Sequence, residues 1–246
     1  LKKRKTNILG EKTNSIVYYA SQSLPHTSSG YAIRTHGLVS SMVSKGYEID
    51  VVLRNGYPLD RNDFLESTVN HTEVIDSVKY YFSSKESSSL INYQEVYNFS
   101  KFREYQTLAT DTLIQHAKLV KSSLIHSASN FVIGLAGARA AKVLGIPSIY
   151  EIRGFWHLTQ STKRVGYEKS DHYNLSEYFE IETAKQSDYV FTITQALKDI
   201  LVERGVQESK IRVLPNAVDA SKFNITKKDK VLEKELGFKD KLVIGY

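Results

Sequence analysis

The sequence predicts an α/β fold with a Rossmann-like, doubly wound and mainly parallel sheet. Three observations lead to it. Short apolar runs rich in β-branched and aromatic residues alternate with stretches of helical periodicity. Glycine and proline punctuate the joints between them. The alternation persists over some 200 residues, which requires a crossover sheet rather than a bundle or a sandwich.

Ser15–Ala20 (SIVYYA) is the first predicted strand, buried on both faces. The polar loop SQSLPHTSSG follows, broken by Pro25 and Gly30. YAIRTHGLVSSMVSKG then reads as a helix, with Leu38/Met42 and Val39/Val43 at four-residue spacing and Gly46 as its stop. Residues 47–53 (YEIDVVL) form the second strand, completing a βαβ unit. Asn55–Pro58 is a turn, residues 73–82 hold strand pieces, residues 85–92 are a Ser-rich loop, and residues 95–122 are helical.

The second half is more regular. Residues 123–126 (SLIH) form a strand, and a helix over 130–144 ends at Gly145 and Pro147. PSIYEI is a strand, followed by the loop RGFWHLTQSTKRVG. A helix over 173–186 takes Asp171 as its cap candidate. DYVFTIT is a strand, 195–204 a helix, and KIRVL a last strand ended by Pro215. The sixteen tyrosines, Tyr18, Tyr19, Tyr80 and Tyr81 among them, fall mostly in strand-like runs and are read as packing.

Composition narrows the function. Apolar residues make up 41% and charged residues 24% of the chain, as in an ordinary globular protein. There is no cysteine, which excludes disulfides and thiolate chemistry. No apolar run is long enough to span a bilayer, and the start LKKRK lacks the apolar stretch of a signal peptide, so a cytoplasmic protein is expected. The net charge is +6, but Lys2, Lys3, Arg4, Lys5 and Lys12 stand against Glu11 alone at the start. This is a basic arm, residues 1–14, rather than a nucleic-acid surface. It is read as a solvated tail or as a peripheral contact with the inner, anionic membrane face.

Ligands of open α/β sheets bind beyond the carboxyl ends of the strands. Three loops there carry unusual residues. In His26–Tyr31, Gly30 allows close backbone approach and the following helix end offers N–H groups to a phosphate; a capping serine is the other reading. In Tyr150–His157, Arg153 suits an oxyanion and the aromatics suit sugar faces. Alternatively Phe155 and Trp156 pack inward while Arg153 pairs with Glu151. Leu214–Asp219 is a hinge or a plain turn. His126, at a strand end, either faces the cleft or is a satisfied structural residue. The histidines show no HxH or HExxH spacing and there is no DxD pair, so no metal is expected.

Four segments in order resemble glycosyltransferase family 4, the retaining group of the GT-B fold. They are LPHTSSGYAIRTHGLVSSMVSKGYEIDVV, SSLIHSASNFVIGLAGARAAKVLGIPSIYEIRGFW, EYFEIETAKQSDYVFTITQALKDIL and KIRVLPNAVDASKF. The resemblance implies residues 15–222 as the N-terminal, acceptor-side domain, and 223–246 as a linker plus the first strand (LVIGY) of a truncated donor-binding domain; a strand returning to the first sheet is the other reading of LVIGY. It implies a nucleotide diphosphate sugar as donor, a glycan or lipid-linked acceptor, no required metal, and negligible turnover by this piece alone. Ser29, Gly30, Thr194 and Asn216 match donor-side positions, with Asn216 and Asp219 in the hinge. Arg34, His126, Arg153, Gly154, Phe155, Trp156 and His157 are assigned to the acceptor. Ser29-Gly30 replaces a double glycine, Ala217 replaces the hinge glycine, and Arg153 stands where many relatives have His, so no catalytic base is assigned. Relatives with Arg-Gly at that position often act in surface polysaccharide assembly. The alternatives are a non-catalytic binding module of the same fold, with 56–123 as its partner surface, or a nucleotide-sugar epimerase.

Overall fold

All six residues of Ser15–Ala20 (β1) are buried, which places this strand in the middle of a sheet covered on both faces. The computed structural model describes residues 14–83, 93–96, 101–223, 227–239 and 241–243. Its strands are β1, Glu48–Leu53 (β2), Thr72–Ile75 (β3), Val78–Tyr81 (β4), Leu124–Ala128 (β5), Ser148–Ile152 (β6), Tyr189–Thr192 (β7) and Ile211–Val213 (β8). They form one sheet in the order β3-β4-β2-β1-β5-β6-β7-β8, parallel throughout except for the edge pair β3/β4. The predicted Rossmann-like class is thus observed. The pattern of crossovers reverses direction between β1 and β5, which is where ligands of such sheets bind.

The strand alternation sorts the core into two layers. Val17 and Tyr19 face one side, with Ile125 and the helices Phe102–Leu119 (α3) and Phe131–Leu144 (α4). Ile16, Tyr18 and Ala20 face the other, with Val39 of Gly30–Val43 (α1) and Val51 and Leu53 of β2. Period-two side-chain direction is enough to produce this division. A third cluster joins Tyr150 and Ile152 to Val190, Leu201 and Ile211 at the far edge. There the helices are Trp156–Ser161 (α5), Asp171–Gln186 (α6) and Gln195–Glu203 (α7).

Several expectations are refined. The strand pieces at 73–82 are an antiparallel hairpin. Its two turn residues, Asp76 and Ser77, have φ of 48° and 66°, the left-handed values of a two-residue hairpin turn. Within the helix predicted over 95–122 the described elements are Tyr93–Val96 (α2) and α3; the Ser-rich loop, 85–92, lies outside the described residues. The Trp-bearing loop contains α5, which the sequence reading had not placed. Ser170, not Asp171, caps α6: its side chain accepts from the Tyr173 N–H at 3.2 Å, and Asp171 opens the first turn.

The chain divides into two compact units, Leu1–Pro215 and Asn216–Tyr246. In the second, the charge-rich stretch expected as a linker contains a helix, Lys230–Glu235 (α8), with Asp229 accepting from the N–H groups of Val231 and Leu232. Leu242 and Val243 are exposed and in no strand, and the rest of LVIGY lies outside the described residues. The basic arm is outside them as well, save for Asn14. Among the described residues no helix is long and apolar enough to cross a membrane.

Candidate functional site

A cavity of about 1170 Å³ opens where the crossovers reverse. Its walls come from the carboxyl ends of four neighbouring strands. Ser21 and Gln22 follow β1, Arg54, Tyr57 and Arg61 follow β2, Ser129 and Asn130 follow β5, and Arg153, Gly154 and Trp156 follow β6. Tyr31, Asp63, Tyr93, Thr159, Arg164 and His172 also line it. Nothing but the strand order is needed to assemble them, because parallel strands deliver their following loops to the same edge.

Glu151 organises the floor. It is fully buried and accepts from five donors. Oε1 receives Arg34 Nε at 2.8 Å and Arg153 Nε at 3.0 Å. Oε2 receives Tyr18 Oη at 2.7 Å, His126 Nε2 at 3.1 Å and Arg153 Nη2 at 3.3 Å. Burial pushes the carboxyl up, but the hydrogen bond from His126 and the charge of Arg153 outweigh it and hold the group well below the usual carboxylate range. A carboxylate so saturated has no lone pair left for a substrate proton. It is an anchor, not a general base.

Arg153 is equally committed. Besides its bonds to Glu151, it donates to Tyr31 O and Thr35 Oγ1, both at 2.8 Å, and to Tyr18 Oη at 2.7 Å. Its guanidinium also lies 4.3 Å from the Tyr31 ring centre. All five N–H donors of Arg153 are therefore used within the protein. The side chain lines the cavity, yet the expected bidentate grip on a ligand is not available without breaking this set. The pairing of Arg153 with Glu151, the plainer of the two sequence readings, is what the structure contains.

The other predicted positions separate clearly. Gly154 and Trp156 line the cavity beside Arg153. Phe155 is buried in the far-edge cluster. His157 turns inward too, its ring 4.9 Å from that of Tyr173, and burial lowers its pKa to about 4. Neither of these two lines the cavity. Arg34 and His126 sit beneath it, on Glu151. Ser29 caps α1 through the Ala32 N–H at 3.2 Å, and Gly30 opens that helix with nothing within 4 Å of where a Cβ would be. Thr194 caps α7, accepting from Leu197 N–H at 3.2 Å. Asn216 belongs to the second unit.

Sequence reasoning missed Arg54, Arg61 and Arg164. Arg54 is buried, makes a two-point ion pair with Asp60, and stacks 4.0 Å from the Tyr93 ring centre. Burial opposes its charge, and the hydrogen bond and charge of Asp60 more than restore it. The signal for Arg54 was present: it directly follows the apolar run of β2, at the end where such sheets bind ligands. Among the described residues, no group of three or more histidine, aspartate or glutamate side chains is placed to hold a metal ion.

Comparison with known proteins adds three findings. The family model for Glycosyltransferase Family 4 matches residues 28–222. Sucrose-phosphate synthase from Thermosynechococcus elongatus superposes with a TM-score of 0.64 at 12% identity, covering 91% of this chain and 52% of its own. Anabaena HepE in complex with UDP-glucose gives 0.57 at 13% identity, covering 92% and 50%. A Listeria monocytogenes protein described as a UDP-N-acetylglucosamine 2-epimerase gives 0.51 at 13% identity, covering 80% and 44%. At these identities the likeness is one of fold. The chain spans about half the length of the solved structures it resembles. No curated protein matches it by sequence.

Proposed function

Because the chain belongs to glycosyltransferase family 4, we propose that it is the acceptor-side domain of a retaining, nucleotide-sugar-dependent glycosyltransferase acting on a glycan or lipid-linked acceptor. The observation that carries this reading is the cavity at the β1/β5 reversal, large enough for a sugar and edged by Trp156. Indole faces stack on the apolar faces of pyranose rings, and Gly154 leaves that approach unobstructed.

The donor would reach the amino end of α1. Ser29 occupies one N–H of the first turn, and Gly30 leaves the backbone open to a phosphate oxygen. A second, donor-binding domain would hold most of the nucleotide. Charge growing on the departing diphosphate would be met by fixed positive groups and helix ends, with no metal required. Glu151 and its five donors would keep the floor rigid while the acceptor hydroxyl is presented, a positioning role worth large factors in rate. Surface polysaccharide or glycoconjugate assembly at the inner membrane face is the proposed setting.

The test uses the full-length protein with a panel of nucleotide sugars and acceptors, and product anomers assigned by NMR. Transfer with retained configuration is expected. Trp156→Ala is expected to raise the acceptor KM about tenfold while donor hydrolysis and Tm stay unchanged. Epimerised nucleotide sugar formed without consumption of any acceptor would replace this reading by the epimerase one. Unchanged acceptor kinetics would remove Trp156 from the site.

A further inference from the structure

We infer that the acceptor is an acidic sugar, its ring stacked on Trp156 and its carboxylate or phosphate held by Arg164. This deepens the transferase reading and rests on it for the word acceptor.

Of the four arginines lining the cavity, Arg153 uses all five N–H groups internally. Arg54 is neutralised by buried Asp60. Arg61 donates to His26 O at 2.9 Å and to Thr27 Oγ1, and pairs through Nε and Nη2 with Asp63, an acid 71% exposed, so most of its donors are in use as well. Arg164 differs from all three. Among the described residues its guanidinium has no carboxylate within ion-pairing distance and no hydrogen-bond partner. It lies 5.9 Å from the Tyr167 ring centre.

Placement makes that guanidinium more than a solvated surface charge. It borders the cavity together with Trp156 and His172, whose ring centres are 5.5 Å apart. Tyr167 sits 6.2 Å from the indole, edge to face. An aromatic wall and a planar five-donor cation thus share one side of the cavity, the pairing that recognises a pyranose bearing an oxyanion. Arg61 stands on the loop after β2 and Arg164 beyond β6, strands that flank β1 and β5 from opposite sides. The exposed Arg61–Asp63 pair and the unpaired Arg164 therefore bracket the cavity, while the guanidiniums of its floor, Arg34 and Arg153, are committed to Glu151. The donors left free for an anion are those of Arg164, at the rim.

Binding to the whole chain tests this without any turnover. NMR titrations at low salt would use methyl β-glucuronide, glucose 6-phosphate, methyl β-glucoside and UDP. Either or both charged sugars are expected to bind at least tenfold more tightly than the neutral glucoside; which of them does so identifies the oxyanion. Arg164→Gln should erase most of that preference, Arg164→Lys should retain part of it, and Trp156→Leu should weaken charged and neutral sugars alike. Equal binding of charged and neutral sugars, no binding of either charged sugar, or a preference untouched by Arg164→Gln overturns the inference. So does competition by UDP for the same site, which would assign it to the donor. If charged sugars bind as expected but the full-length protein transfers nothing, the transferase reading falls and the anion site stands. If transfer is found with no such preference, only the anion site falls.

Discussion

Glu180 is a carboxyl group with no ion-pair partner among the described residues. It is fully buried, accepts from Phe131 N–H at 3.2 Å and from the Tyr150 hydroxyl, and burial, only partly offset by those bonds, pushes its pKa up to about 7. His157 has the opposite habit, its pKa lowered by burial to about 4. Their effects on stability oppose each other. Between about pH 4.5 and 6.5 the folded state keeps a proton on Glu180 that the unfolded state has lost, so stability falls as pH rises. Over the same window the unfolded state carries a proton on His157 that the folded state refuses, so stability rises. The two slopes cancel. Glu180→Gln should uncover the histidine: denaturant unfolding should then gain about 1.4 kcal/mol per pH unit through this window. The same flat profile in the variant as in the parent would refute the assignment. Neither group was legible beforehand, since burial depends on which side of a helix packs inward. Trp156 and its neighbours show the same limit. Three consecutive large side chains stood in the sequence, and only the short helix α5 decided that Phe155 and His157 go in while Trp156 edges the cavity.

At the scale of elements, α4 lies against the sheet through small residues. A Cβ on Gly134 would stand 2.4 and 2.5 Å from ring carbons of Tyr150 and 2.7 Å from the Thr183 methyl. The Tyr150 ring cannot swing aside without giving up Glu180. Gly134→Ala should therefore cost about 1–3 kcal/mol and lower Tm by roughly 5 °C; an unchanged Tm would show that the helix can shift freely. Strands and helices of this kind were readable because burial on one or both faces imposes a period. β1, α4 and β6 begin and end within a residue or so of their expected limits. The misses have local causes. The β3/β4 turn uses Asp76-Ser77 rather than a glycine pair, so its left-handed backbone gave no cue. Helices α5 and α8 have six residues each, too few for a period to register.

The whole molecule places its cavity by topology. The order of the sheet was inferable from alternation alone, and with it the edge where the loops meet. The cation inventory was not, because sequence shows an arginine but not its partners: Arg153 looked available and is saturated, whereas Arg164 passed unnoticed in a loop. Arg34 also gained its meaning only in three dimensions. While its Nε holds Glu151, Nη1 and Nη2 donate to the carbonyls of Pro215 and Leu214 at 2.9 and 2.8 Å. Arg34→Met should leave the sheet intact and speed amide exchange in peptides spanning 212–215 at least fivefold; equal exchange rates would show that other contacts fix this segment.

One guanidinium thus moors the departing polypeptide to the same acid that underpins the ligand chamber. An occupant that displaced Glu151 would therefore change the hold on Leu214 and Pro215. By reciprocity the two effects are equal: whatever an occupant does to that hold, a change in the hold does to the occupant.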